Sequence, residues 1–486
     1  MLRLLKSSLS VVLAFTLFLS AVSVTAYAQS VEIKRVNCCV YESGSTARGF
    51  CWYTESKTKG VLQLVKASEF NGTFDNAAEY AAKTVKFKKE YSHQVSVTTL
   101  EAGEKYFYRV GDKESNTWSE TASFVTDDGD EKFSFITIAD VQASDDNSFK
   151  LASDVVRGAL QTQPESEFLV MLGDFVNDNT NEEWDMYFDN FSFVHNKLSF
   201  VPVSGNHDGN INGSITSKFN EDRFRRTFCL DESDNVFVSG VNYSFDYGNA
   251  HFAVLNTNDM WPMSQAQKNW LINDMSGSDS QWKILLSHRS LYSAGKNINK
   301  PDTVILRQQL IPIIDSLGID IVFAGHDHMY LRTNPVKNDK IAEASYITEV
   351  YKGEETVFAL NPKGAVHILP STAGTKRYTV NEKALSPILD VAAASFSTRD
   401  KGSCFCTTEI DGDKLIYKAY TVDDETKAVT LADSFAVKKT EKRECIDASE
   451  LNQGIFVTAL CFPFNLFDAL LLALKGYAGL LFDVIA

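Results

Sequence analysis

Residues 168–178 read FLVMLGDFVND, an apolar run that ends in a group of polar residues. Five apolar residues, Phe168 to Leu172, are followed at once by Gly173 and Asp174. A short run without a polar interruption is typical of a parallel strand that is buried on both faces. Ligands of open α/β sheets bind beyond the carboxyl ends of such strands, so we expect Asp174 to lie at a functional edge.

The same pattern, an apolar run that ends in polar residues, occurs at four other places. The runs are Phe133–Ala139, Phe200–Ser204, Trp282–Ser287 and Ile319–Ala324, followed respectively by Asp140-Val141-Gln142, Gly205-Asn206-His207-Asp208, His288-Arg289 and Gly325-His326-Asp327-His328. Helical spacing is found between runs, over Phe149–Leu160, Gln265–Met275 and Asp302–Leu317. This alternation predicts an α/β sheet covered by helices, with the polar clusters converging at one edge.

The residue types in these clusters suit metal ions. Carboxylate, amide oxygen and imidazole bind Fe, Mn and Zn well, and Asp174 has two oxygens with which to bridge two ions. Two metals about 3.5–4 Å apart can hold a hydroxide nucleophile and a phosphate for in-line attack. Each cluster alone has an ordinary structural interpretation: Asp140 can be a helix cap, and Asn206-His207 a turn. Their joint occurrence favours a metal site.

The composition limits the class of protein. The chain has 486 residues, 44% of them hydrophobic and 23% charged, which predicts a globular protein of two or three domains. Its net charge of −16 disfavours nucleic acid and anionic membranes as partners. A phosphate ester remains a suitable partner, because bound metal cations reverse the local field.

Residues 30–127 have the pattern of a separate all-β domain. Segments rich in Val, Phe, Tyr and Thr predict short strands at Gly49–Thr54, Val61–Val65, Thr84–Phe87, His93–Thr98, Lys105–Val110 and Ala122–Thr126. Short strands without a helical period favour a β-sandwich. The charge run over 127–132 is a candidate solvated linker, and residues 131–440 are expected to form the α/β domain.

The amino-terminal residues indicate export. A positively charged start, the apolar stretch Leu9–Val24 and a small-x-small site at Ala26–Ala28 predict a signal peptide over residues 1–28, hence a secreted or cell-surface protein. An uncleaved anchor is the alternative. Export would permit disulfides among the eight cysteines, whose spacing does not define their connectivity.

Residues 441–486 form a hydrophobic tail. From Asn465 to Asp483 its polar and small residues lie along one helical stripe, which predicts an amphipathic helix rather than a membrane span. We expect this helix to contact a membrane surface or a protein. The alternative is that it packs on the surface of its own chain.

The order of the motifs resembles that of a known superfamily. Asp140-x-Gln142, the GDxxN motif at Gly173, the GNHD motif at Gly205, His288 and the GHDH motif at Gly325 resemble the calcineurin-like metallophosphoesterases. The layout is similar to that of purple acid phosphatases, and residues 30–127 look like their fibronectin-type-III-like domain. The resemblance implies a two-sheet α-β-β-α sandwich. It also implies hydrolysis of phosphomonoesters or phosphodiesters by a metal-bound hydroxide.

The resemblance also assigns a role to individual residues. One metal would be held by Asp140, Asp174 and His328, and the other by Asp174, Asn206, His288 and His326. His207 would contact the phosphate and help protonate the leaving group. Asp208 would orient or tune His207, since a carboxylate beside an imidazole raises its basicity. The identity of the two metals, among Fe, Mn and Zn, is left open.

Two positions depart from the family pattern. Purple acid phosphatases carry a tyrosine three residues after the bridging aspartate, where this chain has Asn177, so no purple chromophore is expected. Many superfamily members carry a histidine two residues after the first aspartate, where this chain has Gln142. Gln142 would bind the first metal directly, bind it through water, or only line the site. These departures suggest an alternative function, a surface binding or adhesion protein with a degraded site.

Substrate contacts outside the metal ligands are also predicted. Arg289 could clamp a phosphate oxygen, with a surface ion pair as the alternative. No histidine lies between His288 and His326, so the further substrate histidines of purple acid phosphatases have no counterpart. The long segment Thr333–Ser371, with Tyr351 and Lys352, is expected to cover the site together with residues 371–374.

Overall fold

The structure is a computed structural model that describes residues 31–209, 222–231, 240–258, 263–380, 389–399, 401–443 and 445. The expected signal peptide over 1–28 and residues 446–486 of the expected tail lie outside the described residues. None of the helices in the described part of the chain combines the length and the apolar composition that a membrane span requires.

The first domain is a β-sandwich, as predicted. Its strands are β1 (Ile33–Tyr41), β2 (Ser43–Thr54), β3 (Gly60–Lys66), β4 (Ala78–Ala81), β5 (Lys83–Phe87), β6 (Glu90–Val97), β7 (Lys105–Asp112), β8 (Thr117–Trp118) and β9 (Ala122–Val125). One sheet has the order β1-β2-β6-β5, and the other has the order β4-β3-β7, with β8 and β9 paired to β7. Inward-facing Phe50, Trp52 and Tyr108 fill the space between the sheets. The sequence predictions omitted β1, β4 and β8.

The second domain contains the remaining strands and all of the described helices. The strands are β10 (Lys132–Ile138), β11 (Phe168–Met171), β12 (Ser199–Pro202), β13 (Tyr243–Tyr247), β14 (Ala250–Leu255), β15 (Trp282–Arg289), β16 (Ile321–Gly325), β17 (Tyr330–Thr333), β18 (Val336–Lys337), β19 (Lys340–Ile341), β20 (Ser345–Tyr351), β21 (Glu354–Leu360), β22 (Val366–Pro370), β23 (Ala392–Phe396), β24 (Ser403–Asp411), β25 (Lys414–Val422) and β26 (Val429–Lys438). The helices are α1 (Asp146–Thr162), α2 (Asn181–His195), α3 (Asp222–Thr227), α4 (Gln265–Gly277) and α5 (Pro301–Leu317).

Two sheets form the centre of this domain. One has the order β12-β11-β10-β24-β25-β26, in which β10, β11 and β12 are parallel. The other has the order β13-β14-β15-β16-β22-β17-β23, in which β14, β15, β16 and β22 are parallel. This arrangement confirms the predicted two-sheet sandwich. The carboxyl ends of β10, β11, β15 and β16 each lead into a predicted polar cluster.

Aromatic side chains fill the space between the two sheets. The rings of Phe135 and Phe168, from β10 and β11, stack at 5.0 Å, and both meet Phe252 of β14 edge-on. All three side chains are fully buried, and truncating one of them to alanine would cost about 3–5 kcal/mol. On the outer faces, α1 and α2 pack with the first sheet and α4 and α5 with the second. The core therefore fixes the strand ends of one sheet relative to those of the other.

The connection between the domains is exposed over residues 128–132, as expected of a solvated linker, but its first residue is not. Asp127 is buried, and its carboxylate accepts hydrogen bonds from the backbone N–H groups of Gly129 and Gly248. Arg48 of β2 is also buried and donates to the Ser199 hydroxyl at 2.8 Å and to the Val125 carbonyl. These bonds fix the sandwich against the second domain, because buried charges are stable only when they are paired or hydrogen-bonded.

Candidate metal centre

The polar clusters meet because the loops that carry them have an unusual backbone. The φ angle is +53° at Asp140, +38° at Gln142, +54° at Asp174 and +75° at His326. Residues other than glycine rarely adopt these values, and the strain must be offset by the surroundings. The Asp140 N–H donates to the Gly173 carbonyl at 3.0 Å, and the Gln142 N–H donates to the Asp174 carbonyl at 2.8 Å. These bonds join the loop after β10 to the loop after β11.

One group of potential metal ligands comprises Asp140, Asp174 and His328, whose ligand atoms all lie within 4.8 Å of one another. All three side chains are buried, and Nε2 of His328 lies 3.5 Å from Oδ1 of Asp140. Burial and the neighbouring charge of Asp174 raise the pKa of Asp140 well above its ordinary value. Two buried carboxylates that lie this close together both ionise only if a cation lies beside them.

A second group comprises Asp174, His288 and His326, again with ligand atoms within 4.8 Å of one another. Nε2 of His288 lies 3.4 Å from Oδ2 of Asp174 and 3.1 Å from Oδ1 of Asn206. Burial would raise the pKa of Asp174, but the proximity of His288 holds it well below its usual range. Asp174 belongs to both groups, which is the position that a bridging ligand requires.

Hydrogen bonds fix the orientation of the histidine rings. Nδ1 of His288 donates to the Leu172 carbonyl at 2.7 Å, and Nδ1 of His328 donates to the Lys376 carbonyl. Donation from Nδ1 leaves Nε2 of each ring available to a metal, an arrangement common among metal-binding histidines.

The His326 ring is held differently. Its Nδ1 is buried and has no hydrogen-bond partner among the described residues, while its Nε2 lies 3.4 Å from Nη1 of Arg289. Burial, with Arg289 close by, lowers the pKa of His326 well below its ordinary value, so the ring is neutral. A neutral ring with an unpartnered nitrogen suits a metal ligand.

His207 and Gln142 interact directly. Nδ1 of His207 lies 2.6 Å from the Asn177 carbonyl oxygen, to which it can only donate, so Nε2 accepts from Nε2 of Gln142 at 2.6 Å. This leaves Oε1 of Gln142 buried without a partner in the described part of the chain. A buried oxygen in that state costs about 1–3 kcal/mol. A cation beside Asp140 would satisfy it.

Asp208 does not orient His207, which corrects the expectation from the resemblance. Its carboxylate is fully buried and accepts from three backbone N–H groups, those of Asp174 at 2.8 Å, Phe175 at 2.7 Å and Gly205 at 2.7 Å. The ring of His207 bonds instead to Asn177 and Gln142. Asp208 thus positions the loop that carries Asp174. Gly205 packs closely against the same loop, where a side chain would collide with Asp174.

Arg289 forms the ion pair that was the alternative to a phosphate clamp. Its Nη1 lies 2.5 Å from Oδ2 of Asp302, at the beginning of α5. The same atom is near His326. Arg289 therefore lies at the edge of the centre with a carboxylate partner already in place.

The two parts of the expected covering segment have different positions. The Tyr351 hydroxyl donates to Glu409 and Asp411, and Asp411 pairs with Lys132 at the start of β10, the end opposite Asp140. The expectation that Tyr351 and Lys352 cover the site is therefore wrong, because β20 and β21 form a hairpin that runs to the other end of the sheet.

Residues 371–378 do reach the centre. The Thr372 hydroxyl donates to the Asp140 carbonyl at 2.6 Å, and the Ala373 N–H donates to the Ala139 carbonyl. The ring of Tyr378 stacks on that of His328 at 4.6 Å. The sequence predictions did not include Lys376 or Tyr378. The signal nearest to them was the Ser-Thr-Ala-Gly run at 371–374, which was expected to cover the site.

The donors fit a pair of divalent or trivalent metals. They are oxygen and imidazole nitrogen, without thiolate, which suits Fe, Mn and Zn. The unpartnered Oε1 of Gln142 and Nδ1 of His326 are the kind of orphaned buried atoms that a cation would satisfy. The sequence-predicted ligands are thus brought together.

A family described as Calcineurin-like phosphoesterase matches residues 133–330, and a family described as Purple acid Phosphatase, N-terminal domain, matches residues 33–126. The chain therefore has a purple acid phosphatase N-terminal domain followed by a calcineurin-like phosphoesterase domain, and these matches support a phosphate ester hydrolase.

Individual relatives agree with this assignment. Purple acid phosphatase 23 of Arabidopsis thaliana is 24% identical over 59% of this chain and 66% of its own length, and acid phosphatase type 7 of Mus musculus is 23% identical over 66% and 74%. The chain thus spans about two thirds to three quarters of these relatives. The solved structure of purple acid phosphatase PPD1 from yellow lupin shares the fold, with a TM-score of 0.69, 15% identity, and 84% and 75% of the two chains covered.

Proposed function

We propose that this protein hydrolyses phosphomonoesters or phosphodiesters at a centre of two metal ions. The observation that carries the proposal is the shared position of Asp174 in two ligand groups. One ion would be held by Asp140, Asp174, His328 and Oε1 of Gln142, and the other by Asp174, Asn206, His288 and His326. Fe, Mn and Zn all suit these donors.

The metals would polarise a phosphoryl oxygen and lower the pKa of a bound water. The protein itself first contributes the charge balance of the site. Asp140 and Asp174 bring at most two negative charges to a pair of cations, so the occupied site stays positive and attracts an anionic ester despite the chain's net charge of −16. The buried walls strengthen that attraction, because the local dielectric is low.

His207 is the proposed proton donor to the leaving group. Its backbone N–H donates to Oδ1 of Asp174 at 2.8 Å, which places the ring beside the centre. The bond from Nδ1 to Asn177 fixes the ring so that Nε2 is the atom that exchanges a proton. Nε2 faces Gln142 in this structure, so an arriving ester oxygen must displace that amide.

Export is a separate proposal that rests on residues 1–28. The signal-peptide pattern supports a secreted or cell-surface enzyme whose mature chain begins at Gln29. Amino-terminal sequencing of the exported protein would test this. The fibronectin-type-III-like character of residues 30–127, the domain boundaries at 127 and 440, and contact of the tail with a membrane surface or a protein remain predictions.

The function is tested by a phosphate-ester screen. The full-length protein, loaded in turn with Fe, Mn or Zn, is assayed with nitrophenyl phosphate and bis(nitrophenyl) phosphate beside an Asp174→Asn variant. We expect turnover of at least one ester by the wild type and none by the variant, with thermal unfolding of the variant close to normal. Absence of turnover with every metal would support the alternative, a surface protein with a degraded site. Near-parental activity of the variant would refute the shared role of Asp174.

A further inference from the structure

Two lysines beside the candidate metal centre have no part in the roles described above. Lys376 lies in the loop after β22, and Lys296 lies in the segment between β15 and α5. Both are exposed, and neither forms an ion pair with a carboxylate within the described ranges. Exposed cations close to a metal centre are available to a substrate.

Contacts with a proposed metal ligand fix the position of Lys376. Its backbone carbonyl accepts the bond from Nδ1 of His328. Two residues further on, the Tyr378 N–H donates to the His328 carbonyl at 2.9 Å, and the Tyr378 ring stacks on the imidazole. The main chain of Lys376 therefore cannot move away from the centre unless it releases His328.

Lys296 lies beside the ring of Tyr378. Its Nζ lies 4.3 Å from the centre of the Tyr378 ring, a cation–π contact. Its neighbours are anchored, since the Gly295 N–H donates to the Ser293 hydroxyl and the Asn297 amide donates to buried Asp327. The ammonium of Lys296 thus lies against the aromatic ring that stacks on His328, and Lys376 is two residues before that ring in the chain.

Electrostatics agree with this placement. Burial lowers the pKa of Lys376, and the nearby positive charge of Lys296 lowers it further. The negative charges of Asp174 and Asp140 raise the pKa of Lys376. The ammonium of Lys376 is therefore within electrostatic reach of both carboxylates of the centre. Arg289, another cation beside the centre, is already paired with Asp302.

We propose that Lys376, assisted by Lys296, binds the non-bridging oxygens of the substrate phosphate and makes the enzyme selective for phosphomonoesters over phosphodiesters. This inference rests on the proposed function and names its substrate class. A monoester carries about −1.5 to −2 charge at pH 7 and offers three terminal oxygens. A diester has one charge and two such oxygens, so it gains less from two additional cations.

The test compares the two ester classes at pH 7 in Lys376→Gln, Lys296→Gln and the double variant, with Lys363→Gln as the control. Lys363 is an exposed lysine in the loop after β21. A charge-assisted hydrogen bond at an exposed position supports an expectation of about a tenfold rise in KM for nitrophenyl phosphate in Lys376→Gln. The KM for bis(nitrophenyl) phosphate should change less than about twofold, kcat should change little, and Lys363→Gln should match the wild type.

Two results would overturn the proposal: equal KM changes for both esters, or no change in the double variant. Calorimetric titration with inorganic phosphate tests the same lysines without turnover. It should show about tenfold weaker binding to Lys376→Gln than to the metal-loaded wild type. If the wild type cleaves neither ester, the proposed function fails, and equal phosphate binding by wild type and variant would independently reject the role of the lysines.

Discussion

The backbone N–H of His326 donates to both carboxylate oxygens of Asp140, at 3.0 Å each. This bond joins the loop after β16 in the second sheet to the loop after β10 in the first sheet. Both residues have a left-handed backbone, and this conformation lets the N–H of His326 reach the carboxylate of Asp140. The two ligand groups are therefore held by the contact of the two sheets and do not belong to either sheet alone.

Asp208→Asn should destabilise the protein rather than alter proton transfer. An asparagine offers one acceptor oxygen, and its NH₂ group would face a backbone N–H, so at least one of the three bonds to residues 174, 175 and 205 is lost. We expect the free energy of unfolding to fall by about 2–4 kcal/mol, measured by denaturant titration. Unchanged stability with a shifted pH profile of kcat would restore the role of Asp208 as a tuner of His207.

His207→Gln should affect esters according to their leaving group. Removing a general acid costs about 10²–10⁴-fold when the leaving oxygen needs a proton. We expect kcat to fall by that factor for an alkyl phosphate and by far less for nitrophenyl phosphate, whose leaving group departs as an anion. An equal loss on both substrates would show that His207 only binds phosphate.

A histidine far from the centre should give the second domain a pH-dependent contribution to stability. His251 of β14 bonds to Asp246 at 2.8 Å and to Asp274 at 3.0 Å. Burial lowers the pKa of His251, but the two carboxylates outweigh it and raise the pKa to about 9. Because the folded pKa exceeds the unfolded pKa of about 6.5, this stabilisation is complete below pH 6.5 and is lost as the pH rises through 9.

The variant His251→Gln measures that contribution. Its free energy of unfolding should be about 2 kcal/mol lower than that of the wild type at pH 6, a value reduced for the exposure of Asp246. At pH 10 the two proteins should have nearly the same stability. A difference that is equal at both pH values would mean that packing, and not charge, explains the effect.

The strands that carry the centre could be predicted from sequence because they are local features. The apolar runs before Asp140, Asp174 and His288 are buried on both faces, and their polar ends follow at once. The assignment of ligands to two metals came from the resemblance. Helix α2 was missed, although Thr180 and Glu183 form a capping box that signals its start.

The remaining features depend on contacts distant in sequence. Lys376 lies near the centre because Thr372 bonds to Asp140, 232 positions away. No periodicity in the loop itself indicates that contact. Similarly, the position of Tyr351 depends on pairing between β20 and β21 and on their contact with β26. The role of Asp208 could not be predicted, because three backbone donors leave no mark on the sequence.

The most direct test of the two-metal centre is the metal content of the purified full-length protein, measured by plasma emission spectrometry beside Asp174→Asn. The shared position of Asp174 predicts about two ions of Fe, Mn or Zn per wild-type chain and a clear loss in the variant. Fewer than one ion per chain after loading with each of these metals, with no activity restored, would contradict the account.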